Sequence, residues 1–101
     1  MIYTYCEKGK LKNDWDTKSQ LKRAGLSIMN NIAEGFGRIN RQDALKFYDY
    51  AQSSALEVNS MLYVLEDMEY LTPQDLQILR EQTNKTISLT LGFIRYLRRL
   101  S

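Results

Sequence analysis

Seven residues between positions 44 and 65 limit the folds open to this chain. Ala44, Tyr48, Ala51, Ala55, Val58, Leu62 and Leu65 follow one another by alternate steps of four and three, without a slip. A strand places every second residue on one face. Steps of four and three instead draw one stripe along an α-helix, the seam by which packed helices meet. A chain carrying such a seam needs at least one other helix to cover it.

The rest of the sequence offers few interruptions. Pro73 is the only proline, and the glycines are Gly9, Gly25, Gly35, Gly37 and Gly92. No run alternates apolar and polar residues as a strand does. The chain has 101 residues, which fits one domain with a modest core. The expected fold is all-α, an antiparallel up-down bundle of four-helix type with a short first helix. Helices are expected over about residues 1–8, 16–36, 41–71 and 73–100, with a loop over about 9–15.

Local signals place these ends. Thr17 with Gln20 three residues later fits a capping box at the start of the second helix. Leu21, Ala24, Gly25, Ile28, Met29, Ile32 and Phe36 then form its apolar face. Gly35 and Gly37 are expected to end it, because glycine readily takes the left-handed conformation that closes helices. Asn40 caps the third helix with Asp43 at its third position, and that helix spans about 45 Å at about 1.5 Å per residue. LTPQDL gives the clearest start: Thr72 as cap, Pro73 first in the helix, Asp75 third, with Leu71 and Leu76 as a hydrophobic staple. The last helix carries its seam at Leu76, Thr83, Ile87, Thr90, Ile94 and Leu97. The turn before it is short, which forces a hairpin.

The third helix is apolar on more than its seam. Leu45, Leu56 and Tyr63 lie on one flank; Tyr50, Met61 and Met68 lie on the other. A small chain cannot surround such a helix alone, so a homo-oligomer is expected.

Composition excludes several functions. There is no histidine and one cysteine, Cys6. Serine or cysteine triads built on imidazole, imidazole metal sites and Glu-x-x-His di-iron bundles are therefore excluded. Neither a cofactor nor a metal site is expected, and no catalytic residue stands out, because no carboxylate–lysine pair has a supporting shell. A lone cysteine makes no intrachain disulfide. No apolar run approaches membrane-spanning length, and the N-terminus lacks the apolar core of a signal peptide. The expected setting is the cytoplasm, with no membrane partner.

One stretch resists a purely structural account. In NNIAEGFGR, residues 30–38, two asparagines and two glycines sit where a helix should bury its seam. Arg23, Ser27, Asn30, Asn31, Glu34 and Arg38 fall together on a helical wheel, and Glu34 stands four before Arg38, the favourable order for an ion pair. The longer string SQLKRAGLSIMNNIAEGFGR resembles the signature of the four helix bundle protein family. That family includes proteins encoded in intervening sequences of bacterial 23S ribosomal RNA genes and the accessory variability determinant of diversity-generating retroelements. Ser19, Gln20, Leu21, Arg23 and Ala24 match the first part of its pattern. Ser27, Ile28, Asn31, Ile32, Ala33, Glu34, Gly35, Gly37 and Arg38 match the second. FYDYAQSSALEVNSMLYVLEDMEYL is similar to the family's next helix, with Glu57 before the apolar end. The family often has proline where Met29 stands, and a long first helix that only IYTYC represents here.

The resemblance implies a helical bundle assembling as a pentamer, with links to RNA and to a reverse transcriptase. It assigns Gln20, Asn31, Glu34, Gly35, Gly37 and Glu57 to structure or subunit contacts, alongside the flank residues Tyr50, Met61 and Met68. A bundle short of one helix leaves apolar surface exposed on the other three, which adds to the expectation of a covering surface.

Net charge is only +2, so any argument for nucleic acid rests on clustering. Candidate phosphate contacts are Lys18, Lys22, Arg23, Arg38, Arg41, Arg95, Arg98 and Arg99. Tyr96 or Trp15 can stack on an unpaired base. The plainer account of the last arginines is that cations suit a helix C-terminus. Repetition in an oligomer would multiply a weak patch. The preferred expectation is a non-enzymatic oligomer that binds RNA or DNA. The alternative is an interaction scaffold that docks on a reverse transcriptase.

Overall fold

The seam residues at 44–65 are all buried, none more than 4% exposed. In a computed structural model, described over residues 2–100, they form the spine of α3, Arg41–Asp67. Around it lie α1 (Ile2–Cys6), α2 (Trp15–Phe36) and α4 (Pro73–Arg99), with a 3-10 turn over Gly9–Asn13. No strand occurs among the described residues.

The helices start where side chains can satisfy free backbone amides. Asn40 accepts from the Gln42 and Asp43 N–H groups, and Thr72 accepts from the Asp75 N–H, as their sequence contexts predict. Leu71 and Leu76 are both buried in the main core. The start of α2 differs from expectation. Asp14 is the cap, accepting from the Thr17 N–H at 3.1 Å and the Thr17 hydroxyl at 2.9 Å. Thr17 is third in the helix and is itself capped, because a carboxylate three residues earlier reaches its amide.

Helix ends also correct the sequence reading. Gly35 lies inside α2, and Gly37 closes it with φ −79, in the right-handed region. The left-handed closure occurs instead after α3, at Glu69 with φ 54. Tyr70 N–H donates to the Leu65 carbonyl and Glu69 N–H to the Glu66 carbonyl, each at 3.0 Å. These two bonds make a Schellman motif, which stops α3 at Asp67 rather than near residue 71. At the other end of the chain α1 stops at Cys6, and the expected loop is partly 3-10. There Gly9 has φ +54, and a Cβ on it would lie 2.5 Å from the Tyr70 carbonyl oxygen.

Cross-helix pairs run in opposite senses. Ser27 meets Ser54 at 2.7 Å while Gly35 meets Tyr48. Likewise Asn59 bonds Asn84, and Glu66 pairs with Arg80 at 2.7 Å. The main core joins Leu11, Leu21, Val58, Leu62, Leu65 and Leu79; a second cluster holds Ala44, Tyr48 and Ile94. Met61 packs against the main core rather than facing outward. By contrast Tyr50, Leu56, Tyr63 and Met68 are exposed.

One side of the bundle is open. Met29 and Phe36, expected within the buried face of α2, are 68% and 63% exposed. Met29 borders a groove between α2 and α4 where Ile2 rests on Gly25, whereas Phe36 meets Tyr48 and Phe93 edge-on. No helix is long and apolar enough to cross a membrane.

Candidate nucleic-acid interface

The C-terminal turn of α4 carries Arg98 and Arg99. Unpaired carbonyls there give the helix end a partial negative charge, which favours cations. Leu45 and Leu97 pack on the same small cluster as Ala44 and Ile94, so this turn lies beside the first turn of α3, which bears Arg41. Tyr48 stacks on Phe93 at 5.6 Å and meets Phe36 edge-on at 6.0 Å, which brings the end of α2, and Arg38 beyond it, to the same end of the bundle. Arg95 is one turn back along α4. Five of the predicted arginines therefore share one end of the molecule.

Their electrostatic states differ. Arg38 is neutralised by Glu34, with Nη2 2.6 Å from Oε2, and its guanidinium lies over the Phe47 ring. Among the described residues no carboxylate is within ion-pair distance of Arg41, Arg95, Arg98 or Arg99. Arg95, Arg98 and Arg99 are exposed and Arg41 half-buried. Tyr96 stands among the α4 arginines, about half exposed. Such an end presents hydrogen-bond donors and charge in the form phosphate oxygens accept, with a ring face for a base.

The other predicted cations lie at the opposite end and behave differently. Lys18 is buried, with Nζ 3.5 Å from Glu7 Oε1 and 3.2 Å from the Lys12 carbonyl oxygen. Trp15 covers it as a cation–π partner. Lys22 shares Glu7 at 3.6 Å. Lys18, foremost, holds the Glu7 carboxyl below the usual range. Lys18 thus fastens the segment that follows α1 to α2. Arg23 is exposed on the same half of α2.

The polar patch of α2 resolves into separate tasks. Asn31 donates to the Ser27 carbonyl at 2.8 Å and to its hydroxyl at 3.1 Å, beside the Ser27–Ser54 contact with α3. Glu34 engages Arg38, and Gly35 makes room for Tyr48. Gln20 and Glu57 are exposed.

Two features were missed from sequence. The Tyr70 hydroxyl donates to Asp14 Oδ2 at 2.7 Å, across 56 residues. That bond lowers the Asp14 pKa, with help from Thr17, and raises that of Tyr70. The second is the Ser27–Ser54 pair. Neither has a local signal, because each depends on how helices are set side by side. The Cys6 thiol is fully buried, and burial raises its pKa, which keeps it protonated and unreactive.

Searches among curated proteins and among solved structures returned no match. The family model for the 23S rRNA-intervening sequence protein matches residues 1–92. The matched span takes in α1, α2 and α3 whole and ends within α4, short of Arg95. It contains the Gly35–Tyr48 and Ser27–Ser54 contacts that join α2 to α3, and on this coverage the chain belongs to the 23S rRNA-intervening sequence protein family.

Proposed function

We propose that this protein is a non-enzymatic, antiparallel up-down helical bundle that associates with its own copies and binds RNA through its arginine-bearing end. The observation that carries the reading is the set Arg41, Arg95, Arg98 and Arg99, with no carboxylate at ion-pair distance among the described residues. Arginines free of internal partners retain their full charge for phosphate. The family's description, which refers to 23S rRNA, supports RNA over other polyanions, and a cytoplasmic setting goes with that reading. Association would repeat the patch, so that weak single contacts add through effective concentration.

Fluorescence anisotropy with a labelled RNA oligonucleotide, titrated at rising salt, tests this. Binding that weakens steeply with salt, and is lost in Arg95→Ala/Arg98→Ala/Arg99→Ala, is the expected result. No binding by the native chain at low salt would overturn the proposal.

A further inference from the structure

Arg38 stands apart from the other arginines at its end of the molecule. Its charge is already met, with Nη2 2.6 Å from Glu34 Oε2. Its guanidinium carbon lies over the Phe47 ring, 4.8 Å from the centre, and Tyr50 meets that ring edge-on at 6.1 Å. These two holds fix the flat group. The side chain is still 43% exposed, so the guanidinium is covered on the Phe47 side and open to solvent elsewhere. A charge so engaged adds little for phosphate, whereas a fixed, flat, half-open guanidinium is a surface on which an unstacked base can lie.

The next residue is equally unlike a phosphate contact. Ile39 is as exposed as in an unfolded chain and belongs to neither core cluster. Its backbone is nevertheless held on both sides. Gly37 N–H donates to the Ala33 carbonyl and Arg38 N–H to the Gly35 carbonyl, and Asn40 caps α3 through the Gln42 and Asp43 N–H groups. The elbow between α2 and α3 therefore presents one apolar side chain to water from a fixed position. Phe47 shares a face of α3 with Ser54, seven residues on, which meets Ser27 of α2. The elbow's aromatic support is thus on the α2/α3 side of the bundle, away from the groove between α2 and α4.

We infer that the Arg38–Ile39 elbow is a platform for an unpaired base, and that the RNA bound at this end is single-stranded. The inference rests on the reading that this end binds RNA, and it names the class of RNA. In a duplex the base faces are stacked inside, and the A-form surface offers phosphates, 2′-hydroxyls and base edges. Against that surface Ile39 finds no apolar counterpart and Arg38 brings no free charge. An unpaired base has open faces, one of which can lie on Arg38 or against Ile39. Arg41, two residues past Ile39, and the α4 arginines then take the flanking phosphates. The tasks divide: the elbow selects open bases, and the arginines without internal partners supply the charge.

Fluorescence anisotropy on the full chain tests this, with one labelled RNA oligonucleotide used single-stranded and annealed to its complement as a blunt duplex. Charge alone favours the duplex, whose phosphates are more densely set, so a preference for the single strand must come from the bases. The native protein is expected to bind the single strand about tenfold more tightly at equal salt. Arg38→Lys keeps the charge and removes the flat group. It is expected to weaken single-strand binding about tenfold while leaving the salt slope and the duplex affinity unchanged. Ile39→Ser is expected to lose affinity in the same selective way. A native chain that binds neither form at low salt would overturn RNA binding, and this inference with it. Equal affinity for the two forms, or an Arg38→Lys variant that binds the single strand as the native chain does, would overturn only the inference and leave an arginine-bearing end indifferent to pairing.

Discussion

Gly35 lies against the ring of Tyr48 so closely that a Cβ on it would sit 2.8 Å from Tyr48 Cε1. The ring is 4% exposed, stacked on Phe93 and met edge-on by Phe36, so it has nowhere to retreat. Alanine normally improves a helix interior by about 0.5–1 kcal/mol over glycine. At Gly35 the gain is outweighed by overpacking, at about 1–3 kcal/mol. Gly35→Ala should therefore lower the Tm. Gly92→Ala should raise it, because Gly92 is also inside a helix and a Cβ there meets nothing within 4 Å. Circular dichroism melts of the two variants check the pair; equal and favourable shifts would contradict the packing.

Asp14 and Tyr70 tie the start of α2 to the turn that ends α3. The bond makes stability depend on pH in two windows. Asp14 has its pKa lowered in the folded state. Its contribution is thus complete above the unfolded-state value and is lost as pH falls through the folded one. Tyr70 has its pKa raised, so its contribution is complete below the unfolded-state value and is lost as pH rises through the folded one. Tyr70→Phe should shrink the acid loss and remove Tyr70's share of the alkaline loss. Asp14→Ala also removes the cap and should lower the Tm by about 4–8 °C near neutral pH. Urea melts across the acid and alkaline ranges are the measurement.

Ser27 and Ser54 share a hydrogen bond at 2.7 Å between α2 and α3, and Ser54 is buried. Removing one hydroxyl leaves Ser54, or the Ser27 site beside Asn31, with a polar group short of a partner. Ser27→Ala should cost about 1 kcal/mol, and Ser54→Ala a similar amount. Removing both leaves little unpaired, so the double variant should lose less than the sum of the singles. A double-mutant cycle from urea denaturation gives the coupling energy; simple additivity would mean that the hydroxyls do not act as a pair.

The seam of α3 was legible because its periodicity depends only on neighbours along one helix, and every member of it is buried. The Asn40 and Thr72 caps were legible for the same reason: each is satisfied within three residues. Reading failed where a distant segment decides. Thr17 looks like a cap until Asp14 is seen to reach it from what reads as loop. Met29 looks like core because sequence shows an apolar position, not whether a helix lies beyond it. At the candidate site the arginines could be named from sequence. Which of the cations were already spoken for could not, since Glu7 and the Lys12 carbonyl reach Lys18 only through the docking of α1.

Lys18 and the α4 arginines should therefore separate in a salt titration of RNA binding. Each phosphate contact removed lowers the slope of log affinity against log salt by about 0.7 for a single strand. Arg95→Ala, Arg98→Ala and Arg99→Ala should each reduce the slope by about that amount while leaving the Tm nearly unchanged, because all three side chains are exposed. Lys18→Met should do the reverse. Its ammonium lies against Glu7 and the Lys12 carbonyl, so the variant should lose about 1 kcal/mol of stability and keep the native slope. If Lys18→Met flattened the slope as an arginine variant does, phosphate would have to reach that end of the molecule as well, and binding could not be confined to the end that α4 closes.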